Sequence, residues 1–151
     1  MKTLYGLLGI VGFLTLVGLG SPVPDTAAQD QPIQKIGGKL YVTSWFGDWI
    51  SVIDLDSGKV VTEIKVGAKN HNVFLSPDQK RAWVTNYNEG TVAIIDTATD
   101  KVVQTIRTGN GPRHTFIPAD GKHAYVTNEL DDTVAVIDPK DYRLLTQIRV
   151  G

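Results

Sequence analysis

The sequence contains no cysteine among its 151 residues. A disulfide framework, a thiolate metal site and a cysteine nucleophile are therefore excluded. Neither sign of charge is in excess. Fifteen Lys and Arg stand against 16 Asp and Glu, a net charge of -1. Such a chain carries no electrostatic footprint for nucleic acid or for an anionic membrane surface. A long apolar run is also missing. The longest covers residues 7–20, short of the roughly 20 residues a spanning helix needs. No nucleophilic-serine motif, P-loop, dinucleotide fingerprint or zinc signature occurs.

What is present begins with an export layout. Lys2 gives a positive start, residues 7–20 are apolar and uncharged, and Thr26, Ala27 and Ala28 are small residues in a polar stretch. This pattern predicts a signal peptide over 1–28, cleaved after Ala28. The mature chain is then expected to be periplasmic, at the cell surface or secreted, with no stable membrane span. Residues 29–38 read as a linker.

From residue 39 onward one unit recurs. Tyr41-Val42-Thr43-Ser44 returns as Trp83-Val84-Thr85-Asn86 and as Tyr125-Val126-Thr127-Asn128, each step being 42 residues. Val52-Ile53-Asp54, Ile94-Ile95-Asp96 and Val136-Ile137-Asp138 keep the same step, as do Gly67, Gly109 and Gly151. Residues 68–109 laid on 110–151 without a gap agree at 15 of 42 positions. In the second unit, apolar runs at 71–76, 81–86, 91–96 and 101–108 are separated by Pro, Asn, Asp and Gly turn signals. The runs are rich in the β-branched and aromatic residues that suit a pleated surface, and they are too short for helices. Four strands per unit of about 40 residues indicates a propeller blade.

The second and third strands of a unit are apolar on both sides, as expected of strands covered by neighbouring blades. Charges in the fourth strand (Glu63, Lys65, Arg107 and Arg149) suit an edge that faces water. The fold expected is all-β: a partial β-propeller of about three four-stranded antiparallel blades over 39–67, 68–109 and 110–151. The first blade lacks its innermost strand, giving 11 strands. The bare apolar faces of the first and third blades are expected to self-associate or to pair with missing blades.

The tetrapeptides YVTS, WVTN and YVTN, the VID and IID steps and the SPDQK and PADGK turns resemble the YVTN-type β-propeller repeat family over residues 39–151. The resemblance implies a surface-layer or periplasmic propeller, related in fold to lactonase-type propellers and to the haem d1 domain of a nitrite reductase. It is specific for fold and weak for function.

Loops at 45–49, 87–90, 129–132, 67–70 and 109–113 are expected to share one face, and loops on a rigid frame carry function. Trp45, Phe46 and Trp49 crowd one loop, as an aromatic platform for a ligand or as a cap over the blade core. His71 and His114 open first strands, beside Asn72 and Arg113. Either they take a metal, a haem iron or a carboxylate at a channel mouth, or they bond loop backbone. Tyr87 and Glu129 complete the candidate ligand-binding set. Glu129, Asp131 and Asp132 read as a solvated acidic turn rather than a cation site, and Asp54, Asp96 and Asp138 as turn caps. No catalytic residue, metal site or cofactor is assigned. The function expected is a non-catalytic extracytoplasmic binding or scaffold module for an unknown protein or small ligand. The alternatives are part of a redox or lactonase-like propeller enzyme and a structural surface-layer protein.

Overall fold

The computed structural model describes residues 37–151. The expected signal peptide and residues 29–36 of the linker lie outside the described residues. The rest is built from 11 strands and no helix. The first unit holds β1 (Lys39–Thr43), β2 (Trp49–Asp54) and β3 (Lys59–Lys65). The second holds β4 (Asn70–Leu75), β5 (Arg81–Asn86), β6 (Thr91–Asp96) and β7 (Lys101–Arg107). The third holds β8 (Pro112–Phe116), β9 (Ala124–Asn128), β10 (Thr133–Asp138) and β11 (Arg143–Arg149). Each unit is one antiparallel meander, and the first sheet has three strands where the others have four. The partial propeller read from the repeat is what the chain forms.

Periodicity extends to irregularities that no residue pattern announced. The register shifts at Val52/Ile53, Ile94/Ile95 and Val136/Ile137, again in steps of 42. A β-bulge re-aims a strand and adds twist, and here it falls at the same position of the outer strand pair in every unit. The third-to-fourth-strand turns are capped alike. Asp54 accepts the Ser57 N–H at 2.7 Å, Asp96 those of Ala98 and Thr99 at 3.0 Å, and Asp138 that of Lys140 at 2.9 Å. These bonds bear out the capping role.

The core consists of the two seams between blades. Tyr41, Ile50, Val52 and Ile64 of the first unit meet Ala82, Val84, Ala93 and Ile95 of the second. Trp83, Val92, Ile94 and Ile106 on the second unit's other face meet Ala124, Val126, Ala135 and Ile137 of the third. Only the middle blade is therefore apolar and buried on both faces. β5 and β6 are buried almost throughout, whereas β1 and β9 alternate. That narrows the expectation for the second and third strands to units with two neighbours.

Polar ties cross both seams at the end bearing the third-to-fourth-strand turns. Lys39 Nζ and the Tyr41 hydroxyl donate to Asp100 at 2.6 and 2.7 Å. One repeat later, Arg81 Nε donates to the Tyr142 hydroxyl at 3.0 Å. Burial, then the bond to Asp100, holds the Tyr41 phenol far above its ordinary titration range.

Candidate functional site

At the other end of the blades lie the loops that differ most between units. Lys69 sits in the β3–β4 connection with a left-handed backbone, φ 60°. A side chain there costs about 1–2 kcal/mol relative to glycine, and the equivalent residue of the next unit is Gly111, φ 65°. Two backbone bonds hold the strained residue. Its N–H donates to Gly47 O, and Lys69 O accepts the Tyr87 N–H, both at 3.1 Å. The ammonium rests 4.5 Å from the centre of the Trp45 ring and 5.1 Å from that of Tyr87. Cation–π attraction of this kind is worth about 0.5–1 kcal/mol at exposed sites. Three loops from two units thus hold one cation in place.

Toward the first strands, Trp45 meets His71 edge-on at 5.4 Å, and His71 meets His114 edge-on at 5.0 Å. Arg113 Nε donates to His71 Nε2 at 3.2 Å, and Arg113 Nη1 pairs with Glu129 at 3.1 Å. His71 therefore offers its Nε2 lone pair to a cation and carries its proton on Nδ1. Burial, the Arg113 charge and His114 all lower its pKa below the ordinary imidazole value. Nδ1 itself is buried with no partner among the described residues. Arg113 is fixed from behind, since the Thr85 hydroxyl donates to its carbonyl at 2.9 Å.

Six of the nine sequence candidates meet in this cluster: Trp45, His71, Tyr87, Arg113, His114 and Glu129. Asn72 stands behind it, its N–H bonded to the Thr85 hydroxyl at 3.0 Å and its amide oxygen accepting the Thr115 N–H at 3.4 Å. It stitches first strands together rather than facing a ligand. Phe46 and Trp49 do not join the cluster. Phe46 is 98% exposed at the loop tip. Trp49 opens β2 over Gly47, where a Cβ would come within 2.9 Å of its ring. With Trp45, Lys69 and Asn88 they rim a shallow cavity of about 520 Å³ beside the cluster. Phe46 and Trp49 are thus exposed rather than packed over the blade core.

Lys69 was missed by sequence reasoning. Its one signal was misalignment in character, a long charged residue where the next unit has glycine. The acidic turn also separates into parts. Asp131 accepts the Asn110 backbone N–H at 2.6 Å and its side-chain amide at 2.8 Å, which hold its carboxyl below the usual range. Among the described residues, no group of three His, Cys, Asp or Glu is placed to hold a metal ion.

Comparison with known proteins gives the architecture a context. Hydrazine synthase from Kuenenia stuttgartiensis superposes with a TM-score of 0.72 at 22% identity, over 87% of this chain and 40% of that one. A dihydro-heme d1 dehydrogenase gives 0.67 at 22% identity, over 78% and 25%. AztD from Citrobacter koseri gives 0.62 at 20% identity, over 76% and 33%. The chain therefore spans less than half of each of these structures, and likeness at this identity concerns fold. No curated protein matches the sequence. A family model does match, over residues 40–149, and it describes lactonases with seven blades. Those residues take in every described strand but the first residue of β1, and on that match the chain belongs to the lactonase family of seven-bladed β-propellers.

Proposed function

We propose that this chain supplies the ligand-binding end of a lactonase-like propeller, acting on a small carbonyl- or carboxylate-bearing molecule outside the cytoplasm. The observation that carries the reading is the run Glu129–Arg113–His71 with the pinned Lys69 beside it. Two cations, one planar and one compact, point to recognition of ligand oxygens. Neutral His71 adds no third positive charge, and Trp45 and Tyr87 supply an apolar wall for a ring. Membership of the lactonase family directs attention to cyclic esters. In ester opening, positive donors stabilise the oxyanion that develops on the carbonyl, a role that fits Arg113 and Lys69. Exposed His114, whose ring nitrogens have no hydrogen-bond partner among the described residues, is the imidazole placed to activate water.

A second reading, a binding module without turnover, has its own support. The one carboxylate in the cluster, Glu129, is engaged by Arg113 and orients neither histidine. The YVTN-type resemblance and the export layout of residues 1–28 fit both readings. The redox alternative would require His71 to release Arg113 before its Nε2 could take an iron, and it rests on likeness of fold alone.

The test pairs hydrolysis of a lactone panel, including γ-butyrolactone and gluconolactone, with calorimetric binding of the matching hydroxy acids. Turnover lost in Arg113→Gln and His114→Gln supports the first reading. Binding without turnover, weakened about tenfold or more in Arg113→Gln as expected for a charged hydrogen bond, supports the second. An absence of both would overturn the site.

A further inference from the structure

We propose that His71 is a positioning residue for Arg113, a latch that holds the guanidinium in the site while its imidazole is neutral and lets go when the imidazole takes a proton. For the guest that Arg113 serves, this rests on the functional reading above.

His71 and Arg113 occupy one repeat position in successive units, 42 residues apart, on β4 and β8. Thr85 of β5 ties the two backbones together. Its hydroxyl accepts the Asn72 N–H at 3.0 Å and donates to Arg113 O at 2.9 Å. The spacing of these strands is therefore set by main-chain bonds in which no imidazole takes part. What can change is the side-chain contact, Arg113 Nε to His71 Nε2 at 3.2 Å.

Only one protonation state allows that contact. A guanidinium has donors and no acceptor, so Nε2 must accept. A proton on Nε2 makes it a second donor and sets an imidazolium against a guanidinium at hydrogen-bond distance, where like charges repel. The groups around the ring do not offset this. His114 faces it from β8 with ring centres 5.0 Å apart. Trp45, in the loop after β1, meets it edge-on, and that indole is itself covered by the Lys69 ammonium and the Tyr87 ring. Glu129, after β9, is the carboxylate that acts on His71, and Arg113 Nη1 already engages it at 3.1 Å. With Nδ1 buried and without a partner among the described residues, a charged ring gains no bond on its other side. Burial first, then Arg113 and His114, keep the imidazole neutral to below its ordinary pKa.

Neutral His71 thus gives Arg113 a second tether. Nε is held by His71 and Nη1 by Glu129, which fixes the plane of the guanidinium before any guest arrives. A donor aimed in advance loses less freedom on binding. Once the His71 bond is broken, the plane is free to turn about the Glu129 contact. Histidine is suited to such a switch because small changes in surroundings move its titration across the working pH range.

The Arg113 Nε–H reports the latch directly. It is followed by nuclear magnetic resonance and hydrogen exchange in the full chain without ligand, its signal assigned by loss in Arg113→Gln. At neutral pH its exchange is expected to be on the order of tenfold slower in the wild type than in His71→Leu, the scale of one hydrogen bond to a charged group. As pH falls through the His71 titration, read from the ring carbons of the same sample, wild-type protection should disappear. His71→Gln offers a carboxamide oxygen that does not titrate, and it should stay protected through that range. Equal exchange in the wild type and His71→Leu would overturn the proposal. Wild-type protection that ignores the His71 titration would overturn it too, and needs no variant to fold. Loss of protection in His71→Gln in step with the wild type would place the acid effect elsewhere and be equally fatal. γ-Butyrolactone carries no charge, so its binding reads the aim of Arg113 rather than attraction to a charged ring. Its affinity should fall across the same range in the wild type and hold in His71→Gln. Absence of binding at every pH counts against the functional reading alone, since the latch is decided by the Nε–H.

Discussion

The two ends of the blades have been treated differently by the same repeat. At the end with the third-to-fourth-strand turns, Asp54, Asp96 and Asp138 each cap a turn by accepting a backbone N–H two or three residues on. At the other end the three second-to-third-strand loops share almost no residue: one holds Trp45 and Phe46, one Tyr87 and Asn88, one Glu129 and Leu130. One end keeps the chain folded, and the other is free to vary because its strands are already fixed. The proposed site lies at the variable end, and substitutions should divide along the same line.

The largest effect is expected between the ends, in the seam. Trp83→Ala empties a fully buried site shared by the second and third units and should cost about 3–5 kcal/mol, seen as a fall in the denaturant midpoint. If the loss were within 0.5 kcal/mol, the seam would not be the core. Next comes the capped end. Asp96→Ala removes the turn cap and the partner of Arg81, 2.6 Å away. It should lower the denaturant midpoint by less than Trp83→Ala does and leave ligand binding intact.

Acidification weakens both ends but in different pH ranges, the imidazole range for His71 and the carboxylate range for Asp96. His71 has a folded pKa below its unfolded value, so the unfolded chain binds its proton first. Stability from this group is complete above the ordinary imidazole pKa and declines as pH falls through it toward the depressed value. His71→Gln should flatten that part of the profile in urea titrations run at successive pH values. The smallest effect on folding is expected at the variable end. Phe46→Ser and Trp45→Ala should change stability by about 0.5 kcal/mol or less, while Trp45→Ala frees Lys69 and weakens ligand binding. A large stability loss for Trp45→Ala would make the aromatic loop a structural cap after all.

How far the sequence reaches follows the same division. Strands were legible because turn residues and β-branched runs recur every 42 residues, and strand bounds fell within a residue or two of those expected. In the second unit the first strand begins at Asn70 rather than His71, and the fourth ends at Arg107 rather than Thr108. Six residues of the cluster were named from the sequence: Trp45 and Tyr87 as aromatics in loops, His71, Arg113 and His114 at the starts of first strands, and Glu129 in an acidic turn. Lys69 was not, since its role comes from a backbone twist and two rings supplied by other loops, none adjacent in sequence. Asn72 was misjudged for a related reason. Alternation along β4 gives a side chain's face, and only the neighbouring blade decides whether that face meets a ligand or Thr115.

Lys69 also sets stability against recognition. At its left-handed position glycine is the residue the backbone favours, and Gly111 shows that the repeat tolerates one there. A lineage selected only for a sturdier fold would drift toward glycine at 69 and discard the ammonium between Trp45 and Tyr87. Glycine at 69 would relax the backbone and strip Trp45 and Tyr87 of the ammonium on which the proposed ligand site depends.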